Sequence, residues 1–238
     1  MLTGVNISAQ DARDISSSRT MALGSVGYAR GGKVYRYARA GAATLDPGKL
    51  TVNADLVANH TNIVVAASVS AGAYKVTATL GATATTLDQY KDGILTVNDA
   101  TGEGINYRIT GNSATDASGV VTVKLADPIV SALTVSVSEV TLKPNTWDGL
   151  VISATDQADQ CTGVPNVSIT ATYYGWVQTR GECAVWADEA VTKGLALTIG
   201  TGTAGQVEAL DGAGEPQIGI ASEALVDTEY RSAYLTID

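Results

Sequence analysis

The stretch 175–189, GWVQTRGECAVWADE, holds the residues whose types and spacing come nearest to an active site. Cys183 follows Arg180 and Glu182, and a neighbouring cation can lower the pKa of a thiol enough to make it a nucleophile. A thiol nucleophile also needs a general base, and the chain's only histidine, His60, lies far away in the sequence. Because Glu182 also offsets the charge of Arg180, we expect Cys183 to be a structural residue.

The elements around Cys183 account for this stretch without catalysis. We interpret YYGWVQT as a strand, RGE as a tight turn and CAVWAD as the returning strand. In an alternating strand Cys183, Val185 and Ala187 share one face, and Ala184 and Trp186 share the other. A free cysteine on an apolar face behaves as a small hydrophobic residue.

The segment 200–205, GTGTAG, matches the glycine pattern G-x-G-x-x-G of dinucleotide sites. Such a site needs a helix directly after the glycines, because the helix N-terminus binds the pyrophosphate. The residues that follow, QVEALDGAGEPQIGIA, contain two turn signals and no helical pattern. The sequence therefore predicts a glycine-rich hairpin at this position.

Two acidic turns, DQYKDG and NDATGEG, could offer oxygen ligands to a hard cation. Neither turn has acidic residues at alternating positions followed by a terminal glutamate, as a calcium loop does. We expect both to be solvated turns. The sequence therefore predicts a protein that is not an enzyme, with no catalytic residue, no cofactor and no metal site.

The net charge of −9 over 238 residues argues against a nucleic-acid-binding protein. No stretch is long and apolar enough to span a membrane, and the start, MLTGVNISAQDARD, lacks the basic and apolar regions of a signal peptide. We therefore expect synthesis in a cytoplasm, with free thiols at Cys161 and Cys183. A disulfide between these two cysteines stays open as the alternative.

Short segments with a period of two dominate the chain from residue 63 onward. KVTATL, INYRIT, VVTVKL and LTVSVSEVTL alternate apolar and polar residues, and turns rich in glycine, aspartate and asparagine separate them. Six more short strands follow residue 165, and no long amphipathic helix is found. We predict a mainly β protein of short antiparallel strands, with two small β-sandwich or barrel domains, one inserted in the other.

Domain boundaries follow from where these patterns change. The first residues lack an apolar period, so we expect an N-terminal arm at 1–24. The strands in 25–62 are too few for a stable core of their own, and we join them with 146–238 into one discontinuous β domain. The clearest alternating segments then form an inserted β domain at 63–145.

Charge is distributed unevenly along the chain. Residues 1–50 hold seven basic and three acidic residues, a net charge of +4, whereas the rest holds eight basic and 21 acidic residues, a net charge of −13. The basic beginning either pairs with the acidic body of the same chain or meets an acidic partner, and both alternatives stay open. The residues that we expect at a contact with such a partner are Arg13, Arg19, Arg30, Arg36 and Arg39.

Six short sequence segments along the chain resemble those of a known protein family. They are GGKVYRYARAGAATLDPGKL at 31–50, YKDGILTVNDATGEGINYRITGN at 90–112, LADPIVSAL at 125–133, YYGWVQTRGECAV at 173–185, IGIASEAL at 218–225 and the final YLTID. In this order they resemble structural proteins of tailed bacteriophages, in particular the capsid decoration or cement proteins. The resemblance covers most of 25–238 and includes no catalytic signature.

The resemblance implies a non-enzymatic virion protein on the outer capsid surface, made in the host cytoplasm. Its partners would be the major capsid protein, whose neighbouring subunits it locks together, and other copies of itself in a homotrimer. The large β insertion departs from the smallest family members. The alternative is a tail-fibre or receptor-binding β module for host surface glycans, which needs exposed aromatic side chains; Trp147 in NTWDG is our candidate for one.

Overall fold

A computed structural model of the chain describes residues 4–238. Within that range the structure is almost entirely β, with no α-helix and only three short 3-10 turns, Asp11–Arg13, Arg30–Gly32 and Ala58–His60. The prediction of a mainly β fold is confirmed. Cys161 and Cys183 are both free thiols.

The chain divides into two compact units. The discontinuous unit comprises the described residues up to Ala54 together with Thr146–Asp238, and the inserted unit is Asp55–Asn145. The inserted unit therefore begins eight residues before the position that the strand patterns indicated. The reason is His60, which is fully buried and hydrogen-bonded to the Tyr90 hydroxyl and the Thr83 carbonyl, both inside the inserted unit.

The inserted unit contains one six-stranded antiparallel sheet. Its strands are β5 Ile63–Val64, β6 Lys75–Thr79, β7 Ile94–Asp99, β8 Asn106–Asn112, β9 Val120–Leu125 and β10 Glu139–Lys143. The order across the sheet is β5-β10-β7-β8-β9-β6. A further bridge joins Val65, which follows β5, to Ala78 in β6, so the sheet closes on itself into a barrel-like shape.

The alternating sequence produces this closed sheet, because successive side chains point to opposite faces of a strand. In β6, Val76 and Ala78 are buried while Lys75 is exposed, and the other strands repeat the pattern. The inward side chains form one apolar core that also contains Tyr90 and Tyr107. Aromatic bulk comes from tyrosine here, since the chain has no phenylalanine.

The discontinuous unit contains an eleven-stranded sheet. Its strands are β1 Val5–Asn6, β2 Val26–Ala29, β3 Lys33–Arg39, β4 Thr51–Val52, β11 Val151–Ile152, β12 Cys161–Pro165, β13 Tyr174–Trp186, β14 Ala196–Ile199, β15 Val207–Ala209, β16 Gly219–Ala221 and β17 Tyr230–Thr236. The main order is β1-β2-β3-β13-β17-β16-β14-β15, while β4, β11 and β12 lie off this path. A parallel bridge between Ala187 and Val207 brings the end of β13 against β15.

Strand β13 corrects the expected hairpin around Cys183. The residues 174–186 form one continuous strand, whose first part pairs with β3 and whose second part pairs with β17. Its register shifts between Gln178 and Arg180, and Gly181 has a φ of 90°. The glycine that suggested a turn instead allows a bulge, which bends the strand without reversing it. Gln178 stabilises the bulge by donating to the carbonyls of Arg180, Gly181 and Glu182.

The N-terminal arm has little regular structure in its described part, 4–24. Its strand β1 pairs in parallel with β2, and the Ile7 N–H donates to the Tyr28 carbonyl at 2.9 Å. Ile7 and Ala12 are buried in a cluster with Tyr35, Tyr37 and Trp176. The arm is therefore held against the sheet of the discontinuous unit by apolar contacts as well as by hydrogen bonds.

Candidate functional site

Two of the five candidate arginines are neutralised within the chain. Arg36 donates from Nε and Nη2 to both carboxylate oxygens of Asp238, at 2.5 and 2.7 Å, and from Nη1 to the Gly24 carbonyl at 3.0 Å. Arg39 forms an ion pair with Asp148. For these two residues the structure has the intramolecular pairing that the sequence left open as one alternative.

Two other candidates lie on the N-terminal arm. Arg19 is exposed and its Nε donates to the Met21 carbonyl at 2.8 Å. Arg13 is exposed at the end of the 3-10 turn Asp11–Arg13, and it forms no ion pair with any residue of the described chain. Arg13 is therefore a cation of the arm that is left available to a partner.

A reciprocal pair of hydrogen bonds fixes the turn that carries Arg13. The Ser8 N–H donates to Asp11 Oδ2 at 2.7 Å, and the Asp11 N–H donates to Ser8 Oγ at 3.1 Å. The bond from the Ser8 N–H is the largest cause that lowers the pKa of the Asp11 carboxyl. Ala12, the next residue, is buried against the sheet. The position of Arg13 thus follows from the local capping pattern and from one apolar anchor.

The fifth candidate, Arg30, lies at the tip of the hairpin between β2 and β3. Ala29 pairs with Lys33 across the hairpin, and Gly31 and Gly32 have φ values of 79° and 72°. A left-handed pair of this kind is well suited to glycine and turns the chain tightly. It brings Arg30 and Lys33 to the same end of the hairpin. Neither side chain has an ion pair among residues 4–238.

Lys33 was not among the residues that we selected from the sequence. The signal that could have identified the hairpin is the Gly31-Gly32 pair between two alternating segments, VGYAR and KVYRY. A glycine pair between two alternating segments predicts the turn of a β-hairpin, and the residues on either side of such a turn lie close together in space.

Arg13, Arg30 and Lys33 line one concave surface, which we call the basic groove. It consists of two adjoining cavities of about 490 and 480 Å³, and Arg13, Lys33 and Asn166 line both of them. Arg30 lines the first cavity, and Tyr230 lines the second. No aspartate or glutamate of the described chain lines either cavity. The groove therefore presents positive charge that the chain itself does not neutralise.

A fixed hydrogen-bond network lies beneath the basic groove. Asn166 Nδ2 donates to the Tyr35 hydroxyl at 2.9 Å and to Gln178 Oε1 at 3.1 Å. Cys183 Sγ donates to Asn166 Oδ1 at 3.5 Å. Tyr35 is 3% exposed, and burial raises its pKa, so its hydroxyl stays protonated at neutral pH. The network links the groove to the bulge of β13 through Gln178.

The structure explains Cys183 as a component of the core. Cys183, Val185 and Ala187 are buried on one face of β13, which confirms the alternation that we predicted. Burial raises the pKa of the Cys183 thiol to about 12, although Lys33 acts in the opposite direction. The only histidine, His60, belongs to the inserted unit, and both of its ring nitrogens are hydrogen-bonded there.

Neither thiol of the native protein is expected to react appreciably with iodoacetamide. Burial also raises the pKa of Cys161 to about 12, with Asp159 acting in the same direction. At pH 8 a thiol with that pKa holds about 10³-fold less thiolate than an unperturbed one, and the thiolate is the reactive species. Mass spectrometry after timed alkylation, with and without denaturant, measures the two rates. Rapid native modification of Cys183 would contradict its role as a buried core residue.

The segment 200–205 forms the predicted glycine-rich hairpin, between the antiparallel strands β14 and β15. Its backbone donors are already used by the chain's own carboxylates. The Gly202 N–H donates to Asp188 Oδ2 at 2.6 Å, and the Thr201 N–H donates to Glu208 Oε2 at 2.9 Å. These carboxylates occupy the donors that a phosphate would need. The described residues also include no cluster of three or more histidine, cysteine or acidic side chains that could hold a metal ion.

The exposed aromatic residues differ from our expectation. Trp147 is half-buried against an apolar cluster, and the Arg36 guanidinium lies 5.6 Å from its ring centroid. Another aromatic is exposed: Tyr230 is 53% exposed and stacks on the half-buried Trp186 with ring centroids 6.2 Å apart. Lys49 Nζ lies 5.2 Å from the Trp186 ring centroid. Trp147 is therefore not the isolated aromatic that the sequence suggested.

Comparisons with known proteins identify no relative of this chain. No family model, no curated protein and no solved structure matches it. Among the residues that the structure describes, no helix has the length and apolar character needed to cross a membrane.

Proposed function

We propose that this chain is a non-enzymatic virion structural protein that binds the outer surface of a phage capsid and cements neighbouring major capsid subunits. The sequence resemblance to decoration proteins supports this function. The structural observation that carries it is the unequal pairing of the basic residues. Arg36 and Arg39 are neutralised by Asp238 and Asp148, whereas the cations of the basic groove remain available to a partner.

Such a protein stabilises a capsid by binding the assembled state and not the separated subunits, so that mass action favours assembly. The cations Arg13, Arg30 and Lys33 would meet acidic groups on the major capsid protein. The acidic side chains in the rest of the chain would face solvent. Exposed ion pairs contribute only about 0–1 kcal/mol each, so several contacts must act together. The homotrimer belongs to this proposal, since three linked copies would bind with higher avidity than one.

The double substitution Arg13→Glu with Arg30→Glu is expected to slow association with the parent particle about tenfold at low salt, because charge steering mainly affects the association rate. The melting temperature of the free protein should stay nearly unchanged, since neither side chain has an ion pair within the described chain. Surface plasmon resonance on immobilised particles at two salt concentrations measures the rates.

The matched control is Lys75→Glu with Lys91→Glu, which makes the same change in net charge at two exposed positions of the inserted unit. This control should leave the association rate close to that of the unchanged protein. Binding that is indifferent both to the groove substitutions and to ionic strength would refute the role of the groove in capsid binding. Sedimentation of the free protein and a density map of the decorated particle would test the homotrimer.

The second candidate function is a receptor-binding module for host surface glycans. The observation that favours it is the exposed ring of Tyr230, which stacks on Trp186, because sugar rings bind to the faces of exposed aromatic side chains beside polar groups. Glycan binding that is lost on Tyr230→Ala, together with no affinity for the particle surface, would favour this function over the cement protein.

A further inference from the structure

We propose that the basic groove binds an extended, acidic peptide segment of a partner protein. The inference rests on the proposed function only in identifying that partner as a capsid protein. The groove itself is a property of the discontinuous unit: the arm, the β2–β3 hairpin tip and Asn166 all contribute to it.

Charge is the first reason for an acidic ligand. Three cations, Arg13, Arg30 and Lys33, line the groove, and no aspartate or glutamate of the described chain does. Arg36 and Arg39 each have an acidic partner, whereas Arg13, Arg30 and Lys33 form no ion pair within residues 4–238. Glu182, the acidic neighbour of Cys183 in sequence, instead accepts a hydrogen bond from Ser222 at 2.8 Å. A carboxylate-bearing ligand would supply the missing counter-charge.

Shape is the reason for a peptide and not a small anion. The two cavities together are larger than a single phosphate or carboxylate requires, and they follow one another along the surface. Arg30 lines the first cavity alone, while Arg13 and Lys33 line both. Two cations therefore lie where the cavities adjoin, and the third lies in the first cavity. Such an arrangement suits carboxylates that are spaced along an extended chain.

The walls and floor of the groove suit a peptide as well. Ala9, Ala12 and Ala29 line the first cavity, and Pro47 and Pro165 line the second, so apolar surface flanks the cations. That surface can pack against the aliphatic parts of a bound chain.

Tyr35 supplies a hydrogen-bond donor at the groove. Its hydroxyl oxygen accepts from Asn166, and within residues 4–238 its own hydrogen has no acceptor. A buried hydroxyl that lines a cavity and retains a free hydrogen can donate to a ligand carbonyl or carboxylate. The proline-lined second cavity and the hydroxyl of the first thus add neutral contacts to the three charges.

The inference is tested with a fluorescein-labelled hexaglutamate peptide, a hexaglutamine peptide of the same length, and inorganic phosphate as competitor. Fluorescence anisotropy with the full chain at low salt should show binding of hexaglutamate and at least tenfold weaker binding of hexaglutamine. The substitutions Arg30→Gln and Lys33→Gln should each weaken hexaglutamate binding about three- to tenfold. Lys75→Gln, an exposed cation of the inserted unit, is the matched control and should change nothing.

Three results would overturn the peptide site. They are equal affinity for the two peptides, equal weakening by Lys75→Gln and Arg30→Gln, and displacement by millimolar phosphate as effective as that by excess unlabelled peptide. The last result would indicate a site for small anions only.

Different results would reject the proposed function and the peptide site. Hexaglutamate binding that depends on Arg30, together with particle binding that ignores Arg13→Glu and Arg30→Glu, would leave the groove as a peptide site and reject its role in capsid binding. Particle binding that depends on those residues, without any peptide affinity, would reject the peptide site alone.

Discussion

Replacing Gly181 by valine is expected to destabilise the discontinuous unit by about 3 kcal/mol or more, because two costs coincide at this position. Its φ of 90° is one that β-branched residues rarely adopt. A Cβ atom at Gly181 would also lie 3.2 Å from the Lys33 Cα and 3.3 Å from the Gly32 carbonyl oxygen, and these are backbone atoms that cannot rotate away. The bulge that lets β13 pair with both β3 and β17 would be lost.

Tryptophan fluorescence during denaturant unfolding measures this effect selectively. All three tryptophans, Trp147, Trp176 and Trp186, belong to the discontinuous unit, so the signal reports that unit alone. The matched control is Gly194→Val, since Gly194 has a φ of 89° and no atom within 4 Å of the added Cβ. The control substitution should lower the free energy of unfolding by only about 1–2 kcal/mol, because a residue with a side chain is strained at this positive φ. Equal destabilisation by the two substitutions would show that contacts at the bulge contribute nothing.

The fragment Asp55–Asn145 is expected to fold alone, and the shorter fragment 63–145 is expected to melt about 15 °C lower. The shorter fragment lacks His60, whose fully buried ring bonds to the Tyr90 hydroxyl and the Thr83 carbonyl. Removing the ring leaves a cavity and a buried hydroxyl without its partner, which costs about 2–4 kcal/mol. In a domain of this size each kcal/mol lowers the melting temperature by about 4–8 °C.

Thermal melts followed by circular dichroism compare the two fragments. Asp55–Asn145 carrying His60→Ala is the control, and it should melt close to the shorter fragment if the buried ring is the stabilising group. Asn59 adds a smaller contribution, because its carbonyl accepts from the Gly81 N–H at 2.8 Å. Identical melting of 55–145 and 63–145 would show that residues 55–62 are not an integral part of the inserted unit.

The start of the inserted unit shows why sequence patterns locate strands better than boundaries. Strands β6 to β9 can be predicted from the alternation of apolar and polar residues. Each of them has one buried face, and every second residue of a strand points to that face. Residues 55–62 have no such period, and they belong to the unit through the buried ring of His60 and through hydrogen bonds of Asn59 and Asn62. A single buried side chain that reaches Tyr90, thirty positions further along the chain, leaves no local signal.

Strand β13 shows a second limit. The residue types of RGE are compatible with a tight turn. Whether the chain turns there or continues as one strand, alternation places Cys183, Val185 and Ala187 in the core. Whether the chain reverses or continues depends on which strands lie beside it. In the protein β3 and β17 both pair with it, so a bulge at Gly181 replaces the turn.

The sequence by itself determined the mainly β character, the insertion of one unit in another, the burial of Cys183 and the hairpin at 200–205. These properties follow from local periodicity and from glycine positions, which neighbouring residues largely decide. Only the tertiary structure decided which cations remain unpaired. Arg36 and Arg39 meet Asp238 and Asp148, more than a hundred residues away, because folding brings distant segments together. The sum of charges is a property of composition, but the pairing of charges is a property of the fold.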